Sequence, residues 1–344
     1  MKLVYKTAIE SAQIVSKDTA DSDIVAPAFD FDALTRLYYA NTYHRRAISL
    51  KASLLANIVE AKSLEGKVNN PRKFLRYFAL MSEIYGSAFV EKAGSDRAPF
   101  YYNLPTHEAR VDRDRNIYQI ANGEKRSLEG FYYAQDSITS RFYGEPDYLG
   151  AIAAIAAQQK IDAFNNAFFD NGARADKAII FENSEPSEEQ TKAFADFFGA
   201  NYRGVRNAHK TLVLSSVGEN SKIRIEDLSR VDDLSFEKLK TITRDEIIAA
   251  HGVPPRMLGV MSAAQLGGGG EVAGQLQVFN ELTIKPKQEE IAYFFESVGL
   301  PITLSPIDVS HFKDDASLAG ELISRGIISV AEARAMLNFA ERKE

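Results

Sequence analysis

Within residues 147–170 the apolar positions Ala154, Ala157, Ile161, Phe164 and Phe168 recur at spacings of three, four, three and four, the repeat of one helical face, and Asn171-Gly172 ends the pattern. At 1.5 Å per residue such a helix is about 35 Å long, so it is a strut and not a cap. After it come small elements: an apolar strand over 177–181, a helix from Ser187 with Gln190 in capping-box position to about Tyr202, and strands over 209–215 and 222–228. A second helical pattern, residues 234–251, carries Leu239, Ile242 and Ile247 as its apolar points and stops at Gly252 before Pro254-Pro255. A small α/β unit is therefore expected between one helix leading out and another leading back.

The flanks read as a different kind of structure. Residues 33–57 carry Leu34, Leu37, Tyr38, Ala47, Leu50, Leu54 and Leu55 at helical spacing, enough for one or two helices, with Asp30 or Asp32 as N-cap. Asn70-Pro71 opens a further helix with Phe74, Leu75, Phe78, Met81 and Tyr85 on one face and Gly86 as its stop. Residues 88–93 alternate as a strand, and 100–140 read as short strands of an antiparallel meander, turning at 112–116 and at Asn122-Gly123. Together these make an α+β domain. Residues 257–274 contain Gly267-Gly268-Gly269-Gly270 and are expected to be a mobile loop. A long helix over 271–298 follows, with Pro286 in its interior, where the lost hydrogen bond and ring clash predict a kink. An extended piece, 302–309, and two helices, 316–325 and 330–342, the latter behind the capping box Ser329 and Glu332, close the chain.

Composition narrows the chemistry. No cysteine is present, which removes disulfides, thiolate metal sites and cysteine nucleophiles and fits a reducing compartment. The net charge of −6 argues against tight nucleic-acid binding through a broad basic face but leaves loose passage of DNA open. The most apolar stretch, 149–157, is too short to cross a membrane, and the first residues, charged but with no apolar run after them, are not expected to act as a secretory signal.

Candidate reactive groups do not converge. The histidines His44, His107, His209, His251 and His311 lack the spacing that puts two metal ligands on one helix face; His251, beside a terminating glycine, is expected to satisfy carbonyls at a helix end. Asp112, Asp114 and Asn116 begin like a calcium loop, but Ile117 stands where glycine is required and Gly123 where a bidentate glutamate is required, so a polar turn is expected. The tetraglycine lacks a following Lys-Ser or Lys-Thr and a preceding strand, which disfavours a nucleotide-using enzyme. Asp245 and Glu246 diverge on their helix. No catalytic residue, metal or cofactor is nominated.

The order of parts, with several strings, resembles the portal proteins of tailed bacteriophages, in particular the PBSX-type prophage group. The strings are 143–149 (YGEPDYL), 166–172 (NAFFDNG), 244–259 (RDEIIAAHGVPPRMLG) and 327–334 (IISVAEAR). The resemblance implies a portal fold: an α+β wing (1–146), stem helix (147–172), clip (173–230), returning stem helix (231–256), tunnel loop (257–274), kinked wing helix and strand (275–310), and a minimal crown of C-terminal helices (311–344). It implies a non-enzymatic subunit of a homo-oligomeric ring, typically a dodecamer, at one capsid vertex of the virion, assembled in the host cytoplasm. Double-stranded DNA would pass through without sequence specificity during packaging and ejection. The implied partners are the terminase large subunit, the major capsid and scaffold proteins, whose assembly the ring would nucleate, and head-completion or connector proteins. Met261, Gln265, Leu266, Gly267, Gly268, Gly269, Gly270 and Glu271 would face DNA. Glu188, Glu189, Lys192 and Arg203 would dock the motor. Ala153, Ala154, Ala157, Ile161, Phe164 and Phe168 would pack the stem, against a neighbouring copy or within the chain's own core, and Pro286 would set the kink.

Overall fold

The computed structural model describes residues 23–170, 177–182, 187–189, 192–193, 196–197, 222–227, 233–260, 269–307 and 312–336. The chain divides into two compact units, residues 1–151 with 247–344, and residues 152–246. The first unit opens with β1 (Ile24–Val25), α1 (Phe31–Ala40), α2 (Thr42–Leu55) and β2 (Ile58–Glu60). Two helices form because Asn41 is extended (φ −134°, ψ 129°); its side chain accepts the His44 N–H at 2.9 Å and caps α2, while Asp30 caps α1. Next, α3 (Pro71–Tyr85) is capped by Asn70, which accepts the Lys73 N–H at 2.9 Å, and is stopped by Gly86 at φ 73°. Its expected face is buried.

Six strands follow: β3 (Ser87–Ser95), β4 (Ala98–Leu104), β5 (Ala109–Asp112), β6 (Ile117–Ala121), β7 (Glu124–Leu128) and β8 (Gly130–Ala134). They do not make the single meander expected from sequence. They split into two antiparallel sheets, ordered β1-β5-β6-β7 and β4-β3-β8. The chain changes sheets at Glu129, whose carbonyl accepts the Lys92 N–H at 2.7 Å. Gly130 then lies against β3 so closely that a Cβ there would fall 2.0 Å from the Val90 carbonyl oxygen, so only glycine allows the crossing. The β6–β7 hairpin turns on Asn122 (φ 53°) and Gly123 (φ 81°), the pair of left-handed residues a two-residue turn of this hand needs.

In the second unit, α4 (Ile152–Asp170) follows a 3-10 turn over Asp147–Ala151. The strands β9 (Lys177–Glu182) and β10 (Lys222–Asp227) pair antiparallel, from Lys177 opposite Asp227 to Glu182 opposite Lys222. Then α5 (Asp233–Ala250) runs back antiparallel to α4, because Gln158 meets Thr243 (3.0 Å) and, one turn on, Asp162 meets Lys240 (3.2 Å). Gln158 and Thr243 are buried; the Thr243 hydroxyl donates to Gln158 Oε1, and the Gln158 amide donates in turn to Asp162 Oδ1 at 3.1 Å.

The first unit is completed by α6 (Gly269–Phe279), a π-helical turn over Asn280–Ile284, α7 (Lys285–Ser297), β11 (Thr303–Leu304), α8 (Phe312–Ser324) and α9 (Val330–Met336). The Lys285 N–H reaches Asn280 O, the wide bond of a π turn, immediately before Pro286. Proline has no N–H for a carbonyl four residues back and its ring collides with that carbonyl, and one widened turn relieves both. Sequence predicts a kink at Pro286; what the structure shows is a π turn on its N-terminal side. β11 pairs with β2, tying residues 303–304 to 58–60. The hub is aromatic: Phe294 and Phe295 of α7 pack on Phe78 of α3 at 5.8 and 4.9 Å between ring centroids, and Phe294 on Tyr133 of β8 at 5.3 Å. Phe78 and Phe295 are fully buried, and truncating either to alanine costs about 3–5 kcal/mol.

Candidate functional site

Helix α2 carries Ala47, Ile48, Leu54 and Leu55 into the core, and the same helical phase also places His44 and Lys51 there. Lys51 has 1% of its side chain exposed, a position a lone ammonium does not occupy. It contacts Glu83 of α3, 2% exposed, and lies 3.1 Å from Asp147 Oδ2 on the 3-10 turn. Lys287 of α7 closes the circuit, with Nζ 2.7 Å from Glu83 Oε1 and 2.5 Å from Asp147 Oδ2. Two ammonium groups and two carboxylates alternate, so the charge within the ring sums to zero. Burial alone would raise the Glu83 and Asp147 pKa values, but Lys51 and Lys287 outweigh it, holding Glu83 below the ordinary value and Asp147 at about 2. Burial likewise opposes the charge on Lys287, and the two carboxylates override it and raise its pKa.

One turn-pair earlier on α2, His44 Nδ1 lies 2.9 Å from Nε2 of His251, the residue that follows α5. Tyr148 packs edge-on to His44 (4.3 Å) and donates its hydroxyl to the Ile84 carbonyl at 2.6 Å. Burial first, and then Lys51, lowers the His44 pKa to about 3, and burial with Lys51 and His44 depresses that of His251, so both rings are neutral near pH 7. His251 therefore does not serve helix-end carbonyls as sequence suggests; its ring pairs with another imidazole across the core.

The outcome is a polar junction inside the first unit. Asp147 and His251 stand just outside the two boundaries of residues 152–246, and both are fixed to one helix by side chains seven residues apart, His44 and Lys51. The two ammonium groups and two carboxylates neutralise one another locally, so the arrangement fastens chain segments. Beside it, Gly86 and Gly144 touch backbone to backbone. A Cβ on Gly144 would sit 2.1 Å from the Gly86 carbonyl oxygen, and the Gly144 N–H donates to Ser87 Oγ at 3.0 Å.

The residues singled out from sequence are distributed as follows. Met261, Gln265, Leu266, Gly267, Gly268 and Arg203 lie outside the described residues. Gly269, Gly270 and Glu271 belong to α6, which starts two residues before the expected helix; the glycines sit in its first turn, before the regular ladder of intrahelical bonds begins. Ala154 and Ile161 are buried, Ala157 is half-buried and Ala153 is exposed, while Phe164 and Phe168 continue α4. Glu188, Glu189 and Lys192 are exposed on short helical pieces. The Asp112 carboxylate is taken up by its own turn, accepting the N–H groups of Asp114 (2.9 Å) and Asn116 (2.8 Å), and no metal-binding cluster occurs among the described residues. Sequence reading missed the junction, although Lys51 and His44 at apolar-phase positions of α2 are its trace. Among the described residues no helix is long and apolar enough to cross a membrane.

A family model described as phage portal protein matches residues 66–338, more than half of the chain. The chain is 22% identical over 276 residues to the probable portal protein of Escherichia phage P2, with 77% of each chain covered. It is 22% identical over 249 residues to the phage-like element PBSX protein XkdE of Bacillus subtilis (strain 168), covering 64% of this chain and 50% of that one. It spans only 49% and 29% of two other curated relatives, from Rickettsia bellii (strain RML369-C) and Bacillus subtilis (strain 168). Among solved structures, a chain in the neck of a native gene transfer agent particle computed with C12 symmetry superposes with a TM-score of 0.66 at 19% identity, covering 98% of this chain and 100% of that one. An HK97 family phage portal protein from Corynebacterium diphtheriae gives 0.55 at 10% identity, covering 76% and 88%. At these identities the likeness is one of fold.

Proposed function

This chain belongs to the phage portal protein family, and on that premise we propose that its copies close into a ring, most simply a dodecamer, at one vertex of a capsid and give passage to double-stranded DNA. The family match over residues 66–338 carries the reading, and the likeness in fold to a chain in a neck computed with C12 symmetry supports the ring. The charge balance fits a conduit. Every phosphate neutralised by the wall adds affinity and therefore friction, and a chain of net charge −6 keeps that friction low.

In this reading the antiparallel helices α4 and α5 form the stem and residues 173–230 the clip. Met261, Gln265, Leu266, Gly267, Gly268, Gly269, Gly270 and Glu271 are the residues that would face DNA. The exposed Glu188, Glu189 and Lys192, with Arg203, form the surface that meets the terminase motor and later the head-completion proteins. The exposed Ala153 offers a small-residue contact to the next copy, while Ala154 and Ile161 are already used within the chain. A ring of identical subunits needs heterologous contacts whose rotation closes. The subunit acts as a structural part, with assembly in the host cytoplasm beside capsid and scaffold proteins.

Electron microscopy of the purified protein, alone and co-expressed with its capsid and scaffold proteins, tests this. Rings with a central hole are expected in at least one preparation. A chain that stays monomeric in both refutes the ring.

A further inference from the structure

We propose that the buried His44–His251 contact is an acid-released latch: proton uptake by the pair breaks it and frees residues 247–253 from α2, while the ionic ring still holds Asp147. The geometry carries the argument. At 2.9 Å the two ring nitrogens share one hydrogen, so one imidazole donates and the other accepts. The outward nitrogens, His44 Nε2 and His251 Nδ1, are buried and have no hydrogen-bond partner among the described residues. In either tautomer the neutral pair leaves one N–H and one lone pair unmatched. A first added proton makes two unmatched N–H groups and a buried charge, and a second puts hydrogens on both facing nitrogens and ends the contact.

The surroundings give the extra charge little support. Lys51 faces the pair from α2 itself, and Lys287 from α7. Asp147 is the carboxylate that acts on His251, yet its Oδ2 is already shared by both lysines, and Glu83 of α3 is likewise held by both. Tyr148 gives its hydroxyl hydrogen to the Ile84 carbonyl, and Tyr85 of α3 shares a hydrogen bond with Thr35. Arg256 adds a cation on the 3-10 turn Pro255–Leu258, which also packs on α2, whereas Asp32 and Arg36 of α1 and Glu281 and Lys285 near the π turn are exposed. The freed segment is held otherwise by the buried apolar side chains of Ile247, Ile248 and Val253, so a local opening is available without loss of the aromatic hub.

Hydrogen exchange on the full-length protein, corrected for intrinsic rates, tests the latch. Between pH 7.5 and pH 5.0 each histidine that binds its proton only in the open form raises the opening constant about 30-fold, since a free imidazole titrates near 6.5. Residues 247–253 should lose protection by that factor or more, while α3 keeps its protection. The double variant His44→Gln, His251→Gln, which retains a donor and an acceptor but has nothing to titrate, should show no such loss. Equal loss in wild type and variant, or no excess loss in 247–253 over α3, overturns the proposal. Should the variant not fold, imidazole nitrogen shifts of the wild type decide: the rings are expected to gain protons only as 247–253 opens, and protonated rings beneath intact protection refute the latch.

Discussion

Replacing Lys51 by methionine removes one cation from a four-membered ring and leaves Glu83 and Asp147 facing Lys287 alone, a net charge of −1 with Glu83 only 2% exposed. Methionine fills much of the space of the lysine stem, so the cost is chiefly electrostatic. Breaking a buried pair from one side costs about 3–5 kcal/mol. With a urea dependence near 2.5 kcal/mol/M, the unfolding midpoint should drop by about 1.5 M. Adding Glu83→Gln returns the ring to neutrality, and the double variant should recover about half of the loss, which separates charge imbalance from lost packing. Tyrosine near-ultraviolet circular dichroism is the assay, because fourteen of the fifteen tyrosines lie in residues 1–151 and 247–344, leaving Tyr202 alone in the other unit, and the chain has no tryptophan. A single variant that loses less than about 1 kcal/mol, or a double variant no better than the single, would refute a coupled buried ring.

Three further outcomes are expected. Gly144→Ala should destabilise by about 3 kcal/mol or prevent accumulation of folded protein, since its Cβ would meet backbone at 2.1 Å, whereas Gly150→Ala, with open space around it, should leave the melting temperature nearly unchanged. Pro286→Ala restores an N–H, so a structure of the variant should show Asn280–Ile284 rewound to α geometry; a persistent wide turn would mean that the Asn280 side chain, which donates to the Ile307 carbonyl at 2.9 Å, sets it instead. Glu188→Lys with Glu189→Lys should weaken terminase binding in a pull-down while leaving the circular dichroism spectrum unchanged, and undiminished binding would move the docking surface elsewhere.

Elements marked by local chemistry are readable from sequence. Asn70-Pro71 and Gly86 bound α3 to the residue because a cap, a fixed φ and a left-handed stop act within one turn of the helix. The same holds for Ser329 and Glu332, whose reciprocal bonds form as expected. What depends on distant partners is not readable. The split into two sheets turns on Gly130 meeting Val90, some forty residues away. The partner of His251 lies 207 residues earlier, and the alternation of lysines and carboxylates joins four separate segments. Pro286 announces a break in the helical ladder, but its chemistry alone does not say that the chain widens into a π turn. The portal resemblance was legible because it rests on strings such as 143–149, whose Gly144 is fixed by a backbone contact.

The pairing of β11 with β2, and of α7 with α3 and β8, has a consequence for synthesis. Phe78, Phe131 and Tyr133 leave the ribosome long before Phe294 and Phe295, which cover them. At 5–20 residues per second the intervening stretch, about 150 residues, takes roughly 8–30 s to make. For that interval the nascent chain carries an uncovered aromatic surface, so slow decoding between codons 134 and 285 should favour aggregation, and truncations ending before residue 297 should depend on chaperones for solubility.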